Sequence, residues 1–326
     1  VAAGVVDVSR RTTEEVTVLN PDELYRVEPG ARPDEPVPVL VHTLQGMMDA
    51  GHAGALVAGH LLQSLPTRRV VTFDVDQLID YRGRRPAMTF QSTGWTGFEE
   101  PVLAVELVRD AAGTSFLLLH GAEPDLQWER FAAAVIAIVE DLGVRTTIGV
   151  HGIPMGVPHT RPTTVTAHGT RPDLVAGHPA IFGTLQVPGS ASAHLELRLG
   201  QRGHDALGFA ANVPHYLAQM EYPQAAAELV RQIARRAGLR LPVGELDAAG
   251  REIAAAIDSQ VAESEEVAAV VRALEQQFDT LARATDRTGL LAEPTQLPTA
   301  DEIGAEFEAF LAEQARGEGR DDGPSA

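Results

Sequence analysis

The chain has 326 residues, a formal net charge of −19 and no cysteine. It also lacks lysine, so disulfides, thiolate nucleophiles, cysteine-ligated metal sites, Schiff-base lysines and phosphate-loop lysines are all excluded. Such an acidic chain repels phosphate backbones and anionic lipid, and no apolar run approaches the roughly 20 residues of a membrane span. The expectation is therefore a cytoplasmic protein whose partners are proteins or small molecules, with no nucleic acid and no membrane among them.

The length allows one large α/β domain or two smaller ones. Residues 1–37 are polar and proline-punctuated, running into EPGARPDEPVPVL, and read as a lead-in segment. The start at Val1 rather than Met is expected of a chain whose leader has been trimmed. PVLVHT (38–43) predicts a buried strand, and DAGHAGALVAGHLLQSL (49–65) follows with helical spacing of Ala55, Leu56, Gly59 and Leu62. RVVTFDV (69–75), VLAVELV (102–108) and SFLLLHG (115–121) predict three more strands, the last two joined by a connection short enough for a hairpin. DLQWERFAAAVIAIVEDLG (125–143) predicts a helix closed by Gly143, and RTTIGVHG (145–152) another strand.

TTVTAHG (163–169) reads as a strand, and AHLELRLGQRG (193–203) as a helix opening or an edge segment. GFAANVPHY (208–216) and YPQAAAELVRQIARRAGL (222–239) predict a strand and a helix with proline at its start. Near-continuous apolar strands alternating with helices predict a mixed, mainly parallel sheet flanked by helices, over residues 38–240. A helical hairpin follows at 241–285, with Ser264 as N-cap of its second helix. Residues 286–326 are expected to hold a proline-marked linker, an amphipathic helix carrying Phe307 and Phe310, and a disordered tail.

No phosphate loop, dinucleotide fingerprint, nucleophile elbow or HExxH helix is present. The candidates are positional. His42, His120 and His151 stand at the carboxyl ends of predicted strands, as do Asp74 and Asp76, where open α/β sheets bind ligands. Three imidazoles and a carboxylate are a possible zinc or proton-transfer set, or else edge residues satisfied by nearby backbone. Asp49 lies in the glycine-containing turn LQGMMDAG, whose N–H groups are able to receive an anion or simply open a helix. Glu123 and Asp125 stand at the mouth of a predicted helix, where Asp125 is expected to cap. In PMGVPHTRP (154–162), Pro158 and Pro162 fix the backbone on either side of His159, Thr160 and Arg161. Those side chains either clamp an anion or pin the loop to its own domain or a neighbouring subunit.

The ordered string HGAEPDLQWERFAAAV, VPHTRP, NVPHY, YPQAAAELVRQI and SEEVAAVVRALEQQFD resembles the PAC2 (proteasome assembly chaperone 2) family, in its actinobacterial branch, over roughly residues 38–285. The resemblance implies a nucleoside-phosphorylase-like α/β fold, homo-oligomers with a trimer as the leading arrangement, and a link to proteasome subunits. His215 and Tyr216 of NVPHY join Pro158, His159, Thr160, Arg161 and Pro162 as candidate loop or interface residues. Two departures stand out. The family's glycine-rich turn with Trp-Asn-Asp is TLQGMMDAG here, keeping Asp49-Ala50-Gly51 and losing the aromatic. The hydrophobic–Tyr–any tail of proteasome-docking members is replaced by GPSA. His42, His120 and His151 are outside the family pattern, so neither a metal nor a cofactor is expected. The sequence thus predicts a non-catalytic assembly factor or chaperone. The alternative is an enzyme acting on a nucleoside-like or other small ligand through Asp49, Asp74, His120, His151 and Arg161.

Overall fold

A computed structural model describes residues 19–178 and 183–288. The expected linker, the helix around Phe307 and Phe310, and the tail lie outside the described residues. In chain order the elements are β1 (Tyr25–Val27), β2 (Val39–Gln45), α1 (Ala53–Ser64), β3 (Thr67–Phe73), β4 (Met88–Gln91), β5 (Gly94–Phe98), β6 (Leu103–Arg109) and β7 (Ser115–Ala122). They continue with α2 (Trp128–Asp141), β8 (Thr146–Met155), β9 (Val165–Gly169), α3 (Ala191–Gln201), β10 (Asp205–Pro214), α4 (Pro223–Ala237), α5 (Gly244–Ala262) and α6 (Glu265–Thr288).

Eight strands form one sheet in the order β1-β3-β6-β7-β2-β8-β10-β9. Strands β7, β2, β8 and β10 pair in parallel, while β6 joins β7 and β9 joins β10 antiparallel. The expected mixed sheet is therefore present, parallel across its four central strands and antiparallel at β1, β3, β6 and β9, and the 107–116 connection is the hairpin. Strands β2 and β6 are buried at every residue but the last, because helices cover both faces of the sheet.

Side-chain alternation divides the core into two layers. Val39, Val41, Phe116, Leu118, Ile148 and Val150 join α1, α4 and α5 on one face. Leu40, Leu44, Leu117, Leu119 and Leu103 join α2 and α3 on the other. The segment 193–203 falls on helix α3, which ends at Gln201: Ser190 accepts from Ala193 N–H, and Leu195 and Leu199 are buried. Ser264 accepts from Val267 N–H, as its N-cap role requires.

Two features add to the sequence reading. Regular structure begins within the lead-in segment, where a helical turn at Pro21–Leu24 leads into β1 on the sheet edge. A separate two-stranded hairpin, β4–β5, stands off the main sheet. Leu24 is fully buried in the α2/α3 layer. Leu24→Ala is expected to lower unfolding free energy by about 2–5 kcal/mol in urea denaturation. A loss near zero would show that residues 21–27 are an ornament on the core rather than part of it.

Candidate functional site

The carboxyl edge of β2 is built around Asp49. Its Oδ1 accepts from the N–H groups of Gly54 (2.8 Å) and Gly152 (3.0 Å), and its Oδ2 from that of Ala55 (3.0 Å). One carboxylate thus starts α1 and ties it to β8. Burial pushes the Asp49 carboxyl up, against the pull of those three hydrogen bonds. Glycine is required at two of these donors. A Cβ on Gly54 would lie 2.3 Å from Thr43 Oγ1, and one on Gly152 would lie 2.0 Å from the carbonyl oxygen of Ala50. A crevice of about 330 Å³ opens beside this turn, between Met47, Met48, Pro154 and Gln219. Of the crevice candidates Asp49, Asp74, His120, Glu123 and His151, Asp49 alone lines it, and its oxygens are already engaged.

The other four are dispersed. Asp74 caps its own turn, accepting from Asp76 N–H (3.2 Å) and Gln77 Nε2 (2.9 Å). Glu123 is buried, with Oε1 accepting from Ala191 N–H at 2.7 Å, so it anchors the amino end of α3. His120 shares its sheet face with Phe116 and Leu118, and its Nε2 lies 3.7 Å from Glu106, which accepts from Arg69 (2.9 Å). His42 and His151 lie on the opposite face, by the alternation of β2 and β8. Strand-end position therefore does not gather His42, His120 and His151. Asp125 does not cap α2, which starts after Gln127; it accepts from Asp80 N–H (2.8 Å) and pairs with Arg84.

The structure instead groups His42 and His151 with two residues the sequence reading did not single out, His168 on β9 and Glu196 on α3. His168 Nδ1 lies 2.9 Å from Glu196 Oε1, and the His151 and His168 ring centroids are 6.3 Å apart. Gly149 and Gly208 clear the space, since a Cβ there would fall 2.7 Å from the His42 ring and 2.2 Å from the His168 ring. Burial, helped by neighbouring imidazoles, pushes His42 and His151 down to about 4. The pairing with Glu196 outweighs burial for His168 and raises it. His42 Nδ1 has no hydrogen-bond partner among the described residues. No group of three or more His, Asp or Glu side chains among the described residues is arranged to hold a metal ion.

The proline loop has a clear set of contacts. Tyr216 Oη accepts from His159 N–H (2.9 Å) and lies 2.7 Å from His159 Nδ1, while His159 Nε2 lies 3.2 Å from Asp258 on α5. The hydroxyl proton directed at Nδ1 leaves Nε2–H to donate to Asp258. Thr160 donates to Glu275 on α6. Arg161 makes a fork with Asp279, Nε to Oδ1 at 2.8 Å and Nη2 to Oδ2 at 2.9 Å, and reaches Glu275 at 3.1 Å. Asp279 is held below its usual range by that guanidinium. His159 and Pro158 are buried and Pro162 is exposed, so the prolines set the loop while its polar side chains hold the helical hairpin. His215 lies edge-on against Tyr216, with ring centroids 5.4 Å apart.

The family model described as PAC2 family matches residues 43–261. The chain belongs to the PAC2 family. A Mycobacterium tuberculosis protein of unknown function is 48% identical, with 82% of this chain and 92% of that chain covered at a TM-score of 0.77. A Corynebacterium glutamicum protein of unknown function is 40% identical, covering 79% of this chain and 98% of that one at 0.76. A M. tuberculosis proteasome-assembly chaperone homologue is 24% identical and shares the fold, covering 72% and 99% at 0.66. None of the curated proteins compared with the chain matches it. This PAC2 chain also has no helix among the described residues long and apolar enough to cross a membrane.

Two outcomes are expected of the PAC2 fold at these positions. Arg161→Ala should speed deuterium uptake across residues 265–283 and leave the β2, β7 and β8 amides unchanged; equal uptake in both proteins would deny the loop its holding role. The second concerns pH. His42 and His151 have folded values near 4 against an ordinary 6.5, so the unfolded chain binds protons first and stability falls as pH drops from about 6.5 toward 4. For His42 the loss is about 3 kcal/mol at full titration. The raised His168 works in the opposite sense, its contribution being lost as pH rises through its folded value. His42→Gln should flatten the acid limb of a thermal-stability profile, and an unchanged limb would contradict the assignment.

Proposed function

We propose that this PAC2 protein is a non-catalytic, cytoplasmic assembly factor that works by protein contact, as a homo-oligomer with a trimer as the leading arrangement and proteasome subunits as the partner class. The observation that carries the reading is the β4–β5 hairpin. Every residue in its strands is exposed or half-exposed, including Met88, Phe90, Trp95 at 65% and Phe98. Phe90 and Trp95 stack edge-on with ring centroids 5.1 Å apart, a small aromatic unit held on the surface. A lone two-stranded hairpin is marginal in water, and contiguous exposed apolar surface of this kind marks protein interfaces. Apolar contact is also the form of association that a chain of charge −19 tolerates best, since it does not depend on the sign of the facing surface.

Likeness in fold to the M. tuberculosis proteasome-assembly chaperone homologue supports the partner class. The carboxylates that an enzyme of phosphorylase-like chemistry would use support the same reading by their bonding. Asp49, Asp74 and Glu123 each hold backbone N–H groups, and Arg161 holds α6. His159, Thr160, Arg161 and Tyr216 act as a clamp that gives the helical hairpin a fixed place for a partner to meet.

Light scattering on the full chain tests the contact role. The natural protein should run as an oligomer, and a Phe90→Ser, Trp95→Ser pair should reduce it to monomer with its melting temperature within a few degrees. A monomeric natural protein, together with saturable binding of a nucleoside or phosphate in the crevice beside Asp49, would favour the enzyme reading instead.

A further inference from the structure

A cleft of about 660 Å³ lies at the root of the hairpin rather than at the parallel strand ends. Its walls come from the end of β3, the edge strand β1, and the run from Phe98 to Leu103 that leads from β5 into β6. Four carboxylates line it, those of Glu23, Asp74, Asp76 and Glu100, beside the rings of Tyr25, Tyr81 and Phe98. The two arginines in the lining are each neutralised from within the protein, Arg26 by Glu28 at 3.2 Å and Arg69 by Glu106 at 2.9 Å. The carboxylates are not balanced in the same way. Asp74 and Asp76 take neutral donors, namely Gln77 and the Tyr81 hydroxyl, and Glu100 makes no hydrogen bond or ion pair among the described residues. Glu23 is the exception, neutralised by Arg130 at 3.2 Å, so three of the four carboxylates stand unbalanced.

The negative field is felt by a neutral reporter inside the cleft. The Tyr81 phenol is pushed up to about 12, first by its hydrogen bond to Asp76, then by burial and by the charges of Asp76, Asp74 and Glu100. The rim is apolar on the hairpin side, with Phe98 and Val102 exposed and continuous with Trp95 and Phe90. Carboxylates beside aromatic faces are the recognition set for a cationic side chain, which takes a charge-assisted bond at its head and lays its stem or plane against a ring.

We propose that this cleft receives a basic, apolar segment of a partner protein, an arginine or lysine side chain entering between Tyr81, Asp76 and Glu100 while a neighbouring apolar residue rests on Phe98 and Val102. The inference rests on the assembly-factor reading and specifies what part of a partner is gripped. Charge complementarity selects that occupant over a second copy, because another chain of −19 brings further negative charge to a cleft that already has an excess of it. The hairpin's outer aromatic face and the cleft at its root then serve different contacts, one between copies and one with the client.

The test uses the full chain and a dye-labelled octapeptide alternating arginine with leucine, followed by fluorescence anisotropy. Saturable binding is expected, at least tenfold weaker for Glu100→Arg, for Asp76→Asn, and on raising salt from 50 to 300 mM. Glu245→Gln, on the exposed side of α5, should bind as the natural chain does. Glu100→Arg removes no hydrogen bond, so its result stands even if Asp76→Asn disturbs the Tyr81 turn. An octapeptide with glutamate for arginine should not bind. Equal binding by all variants, no binding of the basic peptide, or displacement by spermidine at the peptide's own affinity would overturn the proposal, the last pointing to a small polyamine site. Any of these results combined with a hairpin-dependent oligomer would leave the assembly reading intact. A monomeric natural chain that still binds the peptide through Glu100 would do the reverse.

Discussion

One carboxylate organises the carboxyl edge of the sheet. Asp49 accepts three backbone N–H groups from two different elements, those of Gly54 and Ala55 on α1 and of Gly152 on β8. Its geometry demands a sharp turn, which Gly51 at φ 67° and His52 at φ 49° supply, and a close approach of α1 to β8, which Gly54 and Gly152 permit. The turn is then closed from the far side. Gly51 donates to Ala218 O and accepts from Tyr222 N–H, so the start of α1, the end of β8 and the start of α4 form one hydrogen-bonded unit. Three parallel strands and two helices depend on it. An aspartate so committed gains its place in the sequence from architecture, and the same residue read alone has the look of a catalytic acid.

The same logic extends to the clamp. The loop after β8 carries its polar groups outward from that edge, and Tyr216 reaches it from the turn after β10. From there the chain of contacts runs through His159 to α5 and through Arg161 to α6. Helix α5 packs on the core through Leu246 and Ile257, with Ile253 and Val261 partly buried beside them, while Val271 is the one buried residue of α6 among those described, so the polar contacts at the loop bear most on α6. Exposed ion pairs contribute little individually, but a planar fork fixes direction as well as distance. What results is a helical arm whose angle to the body is set by a rigid proline-bounded loop.

Much of this is legible in the sequence, and the failures have physical causes. Continuous apolar runs locate β2, β6, β7 and β8 because strands buried on both faces have no choice of composition. Pro223, Ser264 and Gly143 mark helix ends through backbone chemistry that acts locally. The loop PMGVPHTRP is readable as a stiff element with oriented side chains, though not the carboxylates it meets, which lie about a hundred residues on. Strand-end histidines mislead as a group because side-chain direction follows position parity, and His120 has the opposite parity from His42 and His151 with respect to the sheet. The His42, His151, His168 and Glu196 group depends on an antiparallel edge strand and a helix laid across it, neither of which leaves a local mark. Gly149 and Gly208 within apolar strands are the available signal, since glycine in a strand interior often marks a close approach. The hairpin at 88–98 has alternating aromatics and a Ser-Thr-Gly turn; its exposure, which gives it meaning, is a tertiary property.

The central proposal is that this PAC2 chain works by contact with other copies and with partner proteins rather than by chemistry at its crevice. Native mass spectrometry of the full chain mixed with separately purified proteasome α and β subunits from a proteasome-bearing actinobacterium is the most direct measurement. The expected result is a stoichiometric complex between this chain and unassembled subunits that is absent with the Phe90→Ser, Trp95→Ser protein and dissolves as rings mature. Free subunits and an unchanged assembly rate at micromolar concentrations of both components would contradict it.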